Sequence, residues 1–433
     1  MLVLREDFMG QVGFGSYRIS KRSNEHKRAL MEALKSGCPV IDTSSNYTNG
    51  ESESLIGEIL SENPNFKPLI ITKAGYIQGQ GIVNLKELHA SKLGLEDLVD
   101  ISSTLKHSIH PEFLMNQITQ SLMRLKVEKI DYFLLHNPEY FFEQDSTLFD
   151  TSSSEYYRRI EKAFNYLEEE VKMGRIGAYG ISSNNFVLPL NDPKVTDLNK
   201  ILEIVKKNHL LHFKMIQFPF NLIEIGALEK LGEYGDHSLL ELAIEHDIKT
   251  VINRPLNAFT NNRLVRLASY EANFKDLDEK KAQEHFDFCL NLLHEKWNEG
   301  VDEITTSDDF HQIELISQLK NLWNTLATPD AVDQVYMGHV FPFIAKIWGR
   351  DLSSTEAAPF FKLLEFSEIY SRKNMTIKAL EFKRQAQDVG LLPEASDRPF
   401  ATMAIETYLD YGFDYVLVGM KNPEYVDQLK HLF

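Results

Sequence analysis

Cysteine is almost missing from this chain of 433 residues: Cys38 and Cys289 stand alone, far apart and outside any CxxC pair. That excludes a disulfide framework and a thiolate-rich metal site, and both are expected as buried free thiols. Basic residues are also short, 46 Lys and Arg against 63 Asp and Glu, for a net charge of −17. Such a balance argues against a nucleic-acid groove or an anionic membrane surface as the main partner, though it leaves room for a local basic pocket. No apolar run reaches the roughly 18 residues that a membrane-crossing helix needs. The opening MLVLREDFMG is too short and too charged for a secretion signal, so a cytoplasmic location is expected. A phosphate-cradling GxGxxG is lacking too, because GFGSYR (13–18) has neither the third Gly nor a helix behind it.

What is present is an ordinary globular composition, 43% hydrophobic and 25% charged. Eight short apolar runs read as buried parallel strands: 11–15, 39–43, 69–73, 130–136, 176–182, 213–218, 248–253 and 414–419. Amphipathic segments at 25–37, 111–127, 156–175, 197–209, 237–247 and 398–412 lie between or around them. This alternation predicts an α/β fold, a (β/α)8 TIM barrel, with a doubly wound sheet as the alternative. One interval breaks the rhythm. Residues 259–397 read mostly as helix (278–300, 309–326, 358–374, 375–390) and are too many for a bare loop. The expected division is therefore a barrel of 1–258 and 398–433, with a helical insertion at 259–397 after the seventh strand. That insertion is either a lid or dimerisation element, which would make a homo-oligomer, or an appendage packed on itself.

In a barrel, side chains at the carboxyl ends of the strands converge over one pocket. Asp42 ends the second strand, Lys73 the third and His136 the fourth, and Tyr47 follows Asp42 in a loop rich in Ser, Asn and Gly. An ammonium near a phenol lowers its pKa, and a carboxylate holds the ammonium charged. An imidazole can orient a carbonyl oxygen and stabilise charge developing on it. This set can protonate a carbonyl as hydride reaches its carbon. None of the four supplies hydride, so a nicotinamide cofactor is implied. His107 and His110, in 102–113, lack a third ligand at metal spacing and are expected as helix caps or exposed groups; no metal is expected.

Six segments in order carry a resemblance. DTSSNYTNGESESLIG (42–57), IITKAG (70–75), SLMRLKVEKIDYFLLHNP (121–138), GRIGAYGISSNN (174–185), IQFPFNLIE (216–224) and VGMKNPEYVDQL (418–429) resemble the patterns of the aldo-keto reductase superfamily, NAD(P)-dependent (β/α)8 barrels. The resemblance covers residues 10–258 and about 398–430. It implies Tyr47 as general acid/base, Lys73 and Asp42 as the groups that tune it, and His136 as the group that orients a substrate carbonyl. It implies a cofactor seat of Ser16, Tyr17, Asp42, Ser182, Ser183, Asn184, Gln217, Asn253, Arg254, Leu256, Gly419, Lys421 and Tyr425. Ser183 stands where the family usually has Asn, and Asn253 where many members stack an aromatic ring on the nicotinamide. Tyr425 stands near the place of an Arg that faces the 2′-phosphate in NADP-preferring members, leaving NADP and NAD both open. The implied activity is reduction of an aldehyde or ketone, or oxidation of the alcohol. The alternative is a nicotinamide-binding regulatory or scaffold subunit with little turnover.

Overall fold

The computed structural model describes residues 8–79, 81–83, 97–147, 149–230, 237–260, 263–269, 274, 277–300, 318–394 and 398–433. Eight parallel strands close into a barrel: β1 (Gln11–Gly15), β2 (Val40–Asp42), β3 (Leu69–Ala74), β4 (Ile130–His136), β5 (Ile176–Ser182), β6 (Phe213–Pro219), β7 (Lys249–Asn253) and β8 (Tyr415–Gly419). Each strand pairs with its neighbours in the sequence, and β8 closes onto β1. All eight expected strands are present.

The helices between them start on the side chains that their sequences offer. Ser23 caps Asn24–Lys35, Ser152 caps Ser153–Lys172 and Asp197 caps Leu198–Lys207. A reciprocal capping box of Ser238 and Glu241 opens Leu239–Glu245. His110 caps Pro111–Leu125, whose Pro at the first turn has no amide hydrogen to leave unpaired.

One interior layer explains where the site lies. Val40, Ile71, Leu134, Met215, Val251 and Leu417, one from each of six strands, pack together inside the barrel. Side chains two residues apart on a strand share a face. The next inward layer is therefore Asp42, Lys73, His136, Gln217, Asn253 and Gly419. The register lines these ends up: Gly15 pairs with Asp42 and with Gly419, His136 with Ser182, and Ser182 with Gln217.

The chain divides into two compact units, Met1–Thr260 with Thr402–Phe433, and Asn261–Ala401. The second has its own core, in which Phe286 stacks on Trp323 at 4.9 Å and the Tyr336 hydroxyl bonds Ser367 at 2.7 Å. The two helices expected at 358–374 and 375–390 are one continuous helix, Ser354–Asp388. No Gly or Pro stands at their junction, and Pro359 falls near the start. Pro329–Val335 and Phe341–Trp348 are further helices that the sequence reading left out. Of the helix expected at 309–326, residues 309–317 lie outside the described residues. Cys38 and Cys289 are free and buried. No described helix is long and apolar enough to cross a membrane.

Candidate active site

The centre of the site is a buried ion pair. Lys73 Nζ donates to Asp42 Oδ1 at 2.7 Å, to Asp42 Oδ2 at 2.6 Å and to the Thr43 carbonyl at 2.8 Å. Three acceptors need three N–H bonds, which only the ammonium has. Burial pulls the Lys73 pKa down, and Asp42 opposes that shift. Gln217 Nε2 donates to Asp42 Oδ2 at 2.9 Å, and Ser182 donates to Gln217 Oε1 at 3.0 Å. A continuous chain thus runs Ser182, Gln217, Asp42, Lys73 across four strands.

Tyr47 is carried by a strained turn. Thr48 and Asn49 follow it in the left-handed region, at φ 47° and 56°. That conformation is unfavourable for β-branched Thr, and its hydroxyl is held by the Ile19 carbonyl at 2.8 Å. The turn places the Tyr47 ring 5.2 Å from Lys73 Nζ and edge-on to His136, at 5.9 Å between centroids. The phenol differs from expectation in one respect. Its pKa is raised well above the ordinary value, by burial first and then by Asp42 and Tyr17, so the ammonium beneath does not dominate. Tyr47 is therefore held as the protonated acid.

His136 is neutral, because burial, Lys73 and His107 all lower its pKa. Its Nδ1 lies 2.9 Å from Ser44 Oγ. Behind it sits a group that the sequence reading placed differently. His107 is buried, with Nε2 2.7 Å from the His136 carbonyl, and burial pushes its pKa down to about 4. The neutral ring donates there, fixing the backbone of His136. Gly75 permits this approach, since a Cβ would meet the His136 oxygen at 2.2 Å and His107 Nε2 at 2.5 Å. His107 lies on a small antiparallel sheet (Tyr76–Ile77, Val99–Ser102, Leu105–His107) that is not among the strands expected from the sequence. The alternation in DISSTLKH was its available signal. His110 caps a helix, as expected.

Of these groups, Tyr47 and His136 border a pocket of about 510 Å³, which Tyr17, Arg18, Asn46, Thr48, Tyr76, Gln78, Leu105 and Tyr140 also line. Tyr76 packs edge-on against both His136 and Tyr140. Tyr17 is 61% exposed and stands edge-on to Tyr47. Tyr76, Gln78 and Tyr140 carry no motif, and proximity alone reveals them.

The remaining expected residues separate into two groups. Ser182, Gln217, Asn253 and Gly419 share the mouth of the barrel, with Leu256 buried just beyond β7. Ser16 is turned inward: its hydroxyl donates to the Asp42 carbonyl at 2.7 Å and accepts from Ser52. Ser183 is likewise occupied, contacting Thr196 at 2.9 Å and capping a turn through the Asn185 amide. Arg254 is in an ion pair with Glu224 at 2.7 Å. Lys421 is exposed, near enough to His26 to lower its pKa, and Tyr425 is half-buried on Pro423–Leu429. No cluster of three or more metal-binding side chains occurs among the described residues.

Fit to a nicotinamide can be judged from these atoms. A carboxamide needs one acceptor and one donor. The Asn253 Oδ1 is buried with no hydrogen-bond partner among the described residues, and the Ser182–Gln217 pair lies on the same rim. This uncharged polar set fits an amide.

Glu139 adds a pH dependence. It is buried, accepts from the Asn184 amide at 2.8 Å, and its other oxygen has no partner among the described residues. Burial raises its pKa to about 7. The unfolded state ionises near the ordinary carboxylate pKa while the folded state stays protonated, so stability falls as pH rises toward about 7 and then levels off. Glu139→Gln is expected to raise the melting temperature at pH 8, by up to about 3 kcal/mol of stability, and to change nothing at pH 4. Equal melting curves at pH 8 would show that this carboxyl ionises freely in the fold.

A model of the Aldo/keto reductase family matches residues 9–317. An uncharacterized oxidoreductase, YqkF, of Bacillus subtilis (strain 168) is 25% identical over 248 residues, 57% of this chain and 61% of that protein. The NADH-specific methylglyoxal reductase of Escherichia coli (strain K12) is 26% identical over 156 residues, 36% of this chain and 41% of that protein. The chain thus spans less than two thirds of the length of either relative. Among solved structures, the glycerol dehydrogenase AKR11B4 from Gluconobacter oxydans covers 100% of this chain and 89% of its own, with 16% identity and a TM-score of 0.49.

Proposed function

This chain belongs to the aldo/keto reductase family, and we propose that it is an NAD(P)-dependent oxidoreductase that interconverts a small aldehyde or ketone and its alcohol. The observation that carries this reading is the convergence on one pocket of a protonated Tyr47, a buried Lys73–Asp42 pair beneath it and a neutral His136. When bound, the nicotinamide would supply the hydride to the carbonyl carbon. The Tyr47 hydroxyl gives its proton to the carbonyl oxygen as negative charge develops there. The phenolate left behind is stabilised by the Lys73 ammonium, whose charge Asp42 maintains. A phenol whose pKa is high in the empty pocket becomes a stronger acid only if its anion is compensated, and Lys73 is the compensating charge. His136 is the second polar group against the substrate oxygen.

Ser182, Gln217 and Asn253 would hold the carboxamide, with Tyr17 on the pocket side. Ser16 and Ser183 would support the seat from behind, since their hydroxyls are engaged internally. Arg254 would have to leave Glu224 to reach a diphosphate. Lys421 would be the cation of the expected set offered to a 2′-phosphate. A single Lys is a weaker clamp for a 2′-phosphate than a bidentate Arg, so both NADP and NAD remain candidates. The methylglyoxal reductase among the similar proteins accords with a small carbonyl substrate.

Fluorescence titration with NADPH and NADH tests the reading. Saturable binding of at least one is the expected outcome, followed by turnover on a panel of small aldehydes. If the preferred one is NADPH, Lys421→Ala should weaken it while leaving NADH unchanged. Failure of both to bind would remove the source of hydride and end the proposal.

A further inference from the structure

Glu139 follows His136 at the end of β4, and the proposed reaction does not use it. The strand-end residues His136 and Ser182 pair in register, and the Asn137 amide donates to the Ser182 carbonyl at 2.7 Å. The Glu139 carboxyl then accepts from the Asn184 amide at 2.8 Å. It is thus fixed to the turn that leaves Ser182, one of the residues offered to the carboxamide. Glu139 is 7% exposed, and its second oxygen has no partner among the described residues.

A buried carboxylate is costly unless a cation matches it. Among the described residues none does. Tyr156, on the helix Ser153–Lys172, and Tyr76, on the small sheet, face its charge, and burial followed by neighbours that include Glu139 raises both phenols above their ordinary pKa. Both therefore stay neutral. His136 and His107 are neutral as well. The cations of this region are engaged elsewhere: Arg159 with Glu155 at 2.8 Å, Lys194 with Glu143 at 3.0 Å and Lys73 with Asp42 at 2.6 Å. Tyr76 also lines the pocket, so a charge on Glu139 is felt there.

The match that the protein does not supply can come with the ligand. An oxidised nicotinamide ring is cationic and a reduced ring is neutral. We propose that Glu139 is the counter-charge for the oxidised nicotinamide: its carboxyl, fixed beside the carboxamide seat, gives up its proton when the cationic ring binds and keeps it when the neutral ring binds. This rests on the oxidoreductase reading for its ligand. The proton goes to solvent, and no bond to the cofactor forms. The coupling is reciprocal, so ionising Glu139 tightens the oxidised form. Burial sets this carboxyl at about 7 before a ligand arrives. Affinity for the oxidised form therefore rises with pH up to about 7 and levels off above it, while the reduced form gains nothing.

The test compares the two forms of one dinucleotide, NADP+ with NADPH or NAD+ with NADH, on the intact chain. Any 2′-phosphate is common to both forms and cancels in the ratio of their dissociation constants. Between pH 5.5 and pH 8 that ratio should move in favour of the oxidised form by roughly three- to tenfold, the effect of one partly screened charge pair. Calorimetry at pH 7 in two buffers of different ionisation heat should show roughly half a proton released with the oxidised form and almost none with the reduced. Glu139→Gln keeps an oxygen for the Asn184 amide but has no proton to lose. It should bind both forms, with a ratio that no longer changes with pH and no difference in proton release. A pH-independent ratio in the wild type, or a pH-dependent one that survives in Glu139→Gln, would overturn the proposal and leave the oxidoreductase reading standing. Failure of every form to bind would end both.

Discussion

Tyr47→Phe is expected to lower kcat by roughly 10²- to 10⁴-fold, the range that a positioned general acid contributes, with little change in nicotinamide binding. The substitution removes one oxygen and keeps the ring. Its edge contacts with Tyr17 and His136 therefore persist, as does its position over Lys73. Among the described residues no hydrogen bond from the Tyr47 hydroxyl holds a fold element in place, so melting temperature should barely move. What disappears is the proton that the developing alkoxide requires. His136 cannot replace it, since it is neutral and its pKa is depressed. Measured kcat, together with a cofactor titration of the same variant, separates an enzyme from a nicotinamide-binding subunit with little turnover. A Phe variant with wild-type kcat would mean that the proton comes from elsewhere.

Lys73→Met carries the second large effect, on folding as well as on turnover. The stem keeps nearly its volume, but the Asp42 carboxylate loses two of the three hydrogen bonds described for it. Of the hydrogen bonds just described, only the one from Gln217 Nε2 remains, with a carboxylate that is 4% exposed. Breaking a buried pair by removing one partner costs about 3–5 kcal/mol, because the other charge is left uncompensated. Urea denaturation should show that loss. Adding Asp42→Asn should recover most of it, since the amide needs no countercharge. The double variant would fold and remain inactive, for lack of a cation beneath the phenolate. If Lys73→Met alone cost under about 1 kcal/mol, the pair would be no more than a surface-like contact.

These two effects arise from residues that the sequence made visible. The barrel strands announced themselves as continuous apolar runs because a parallel sheet is covered on both faces. Asp42, Lys73 and His136 stood out because each interrupts such a run at its carboxyl end. Tyr47 was legible from its turn-forming neighbours. The protonation of its phenol was not: from the sequence, Lys73 was expected to lower the pKa, whereas burial raises it. Desolvation depends on what surrounds a group in space, which residue order does not state. His107 was read as a cap or an exposed group, and it proved to be buried against the His136 carbonyl. A contact across 29 residues, made through a Gly with no Cβ, leaves no local pattern. Ser16 and Ser183 show the same limit, since their residue types suited a ligand while their hydroxyls went to neighbours.

Local periodicity and strand-end chemistry in the sequence by itself therefore determined the barrel, the order of its strands and the four groups at its mouth. Periods of two and 3.6 residues are properties of the chain, and a closed parallel sheet must send its strand ends to one face. Only the tertiary structure decided which hydroxyls face inward, that Gln217 and Ser182 complete the support of Asp42, that Glu139 is buried with a raised pKa, and that Ser44 meets His136. Those facts turn on hydrogen-bond direction and on burial, and both come into being only when distant segments meet.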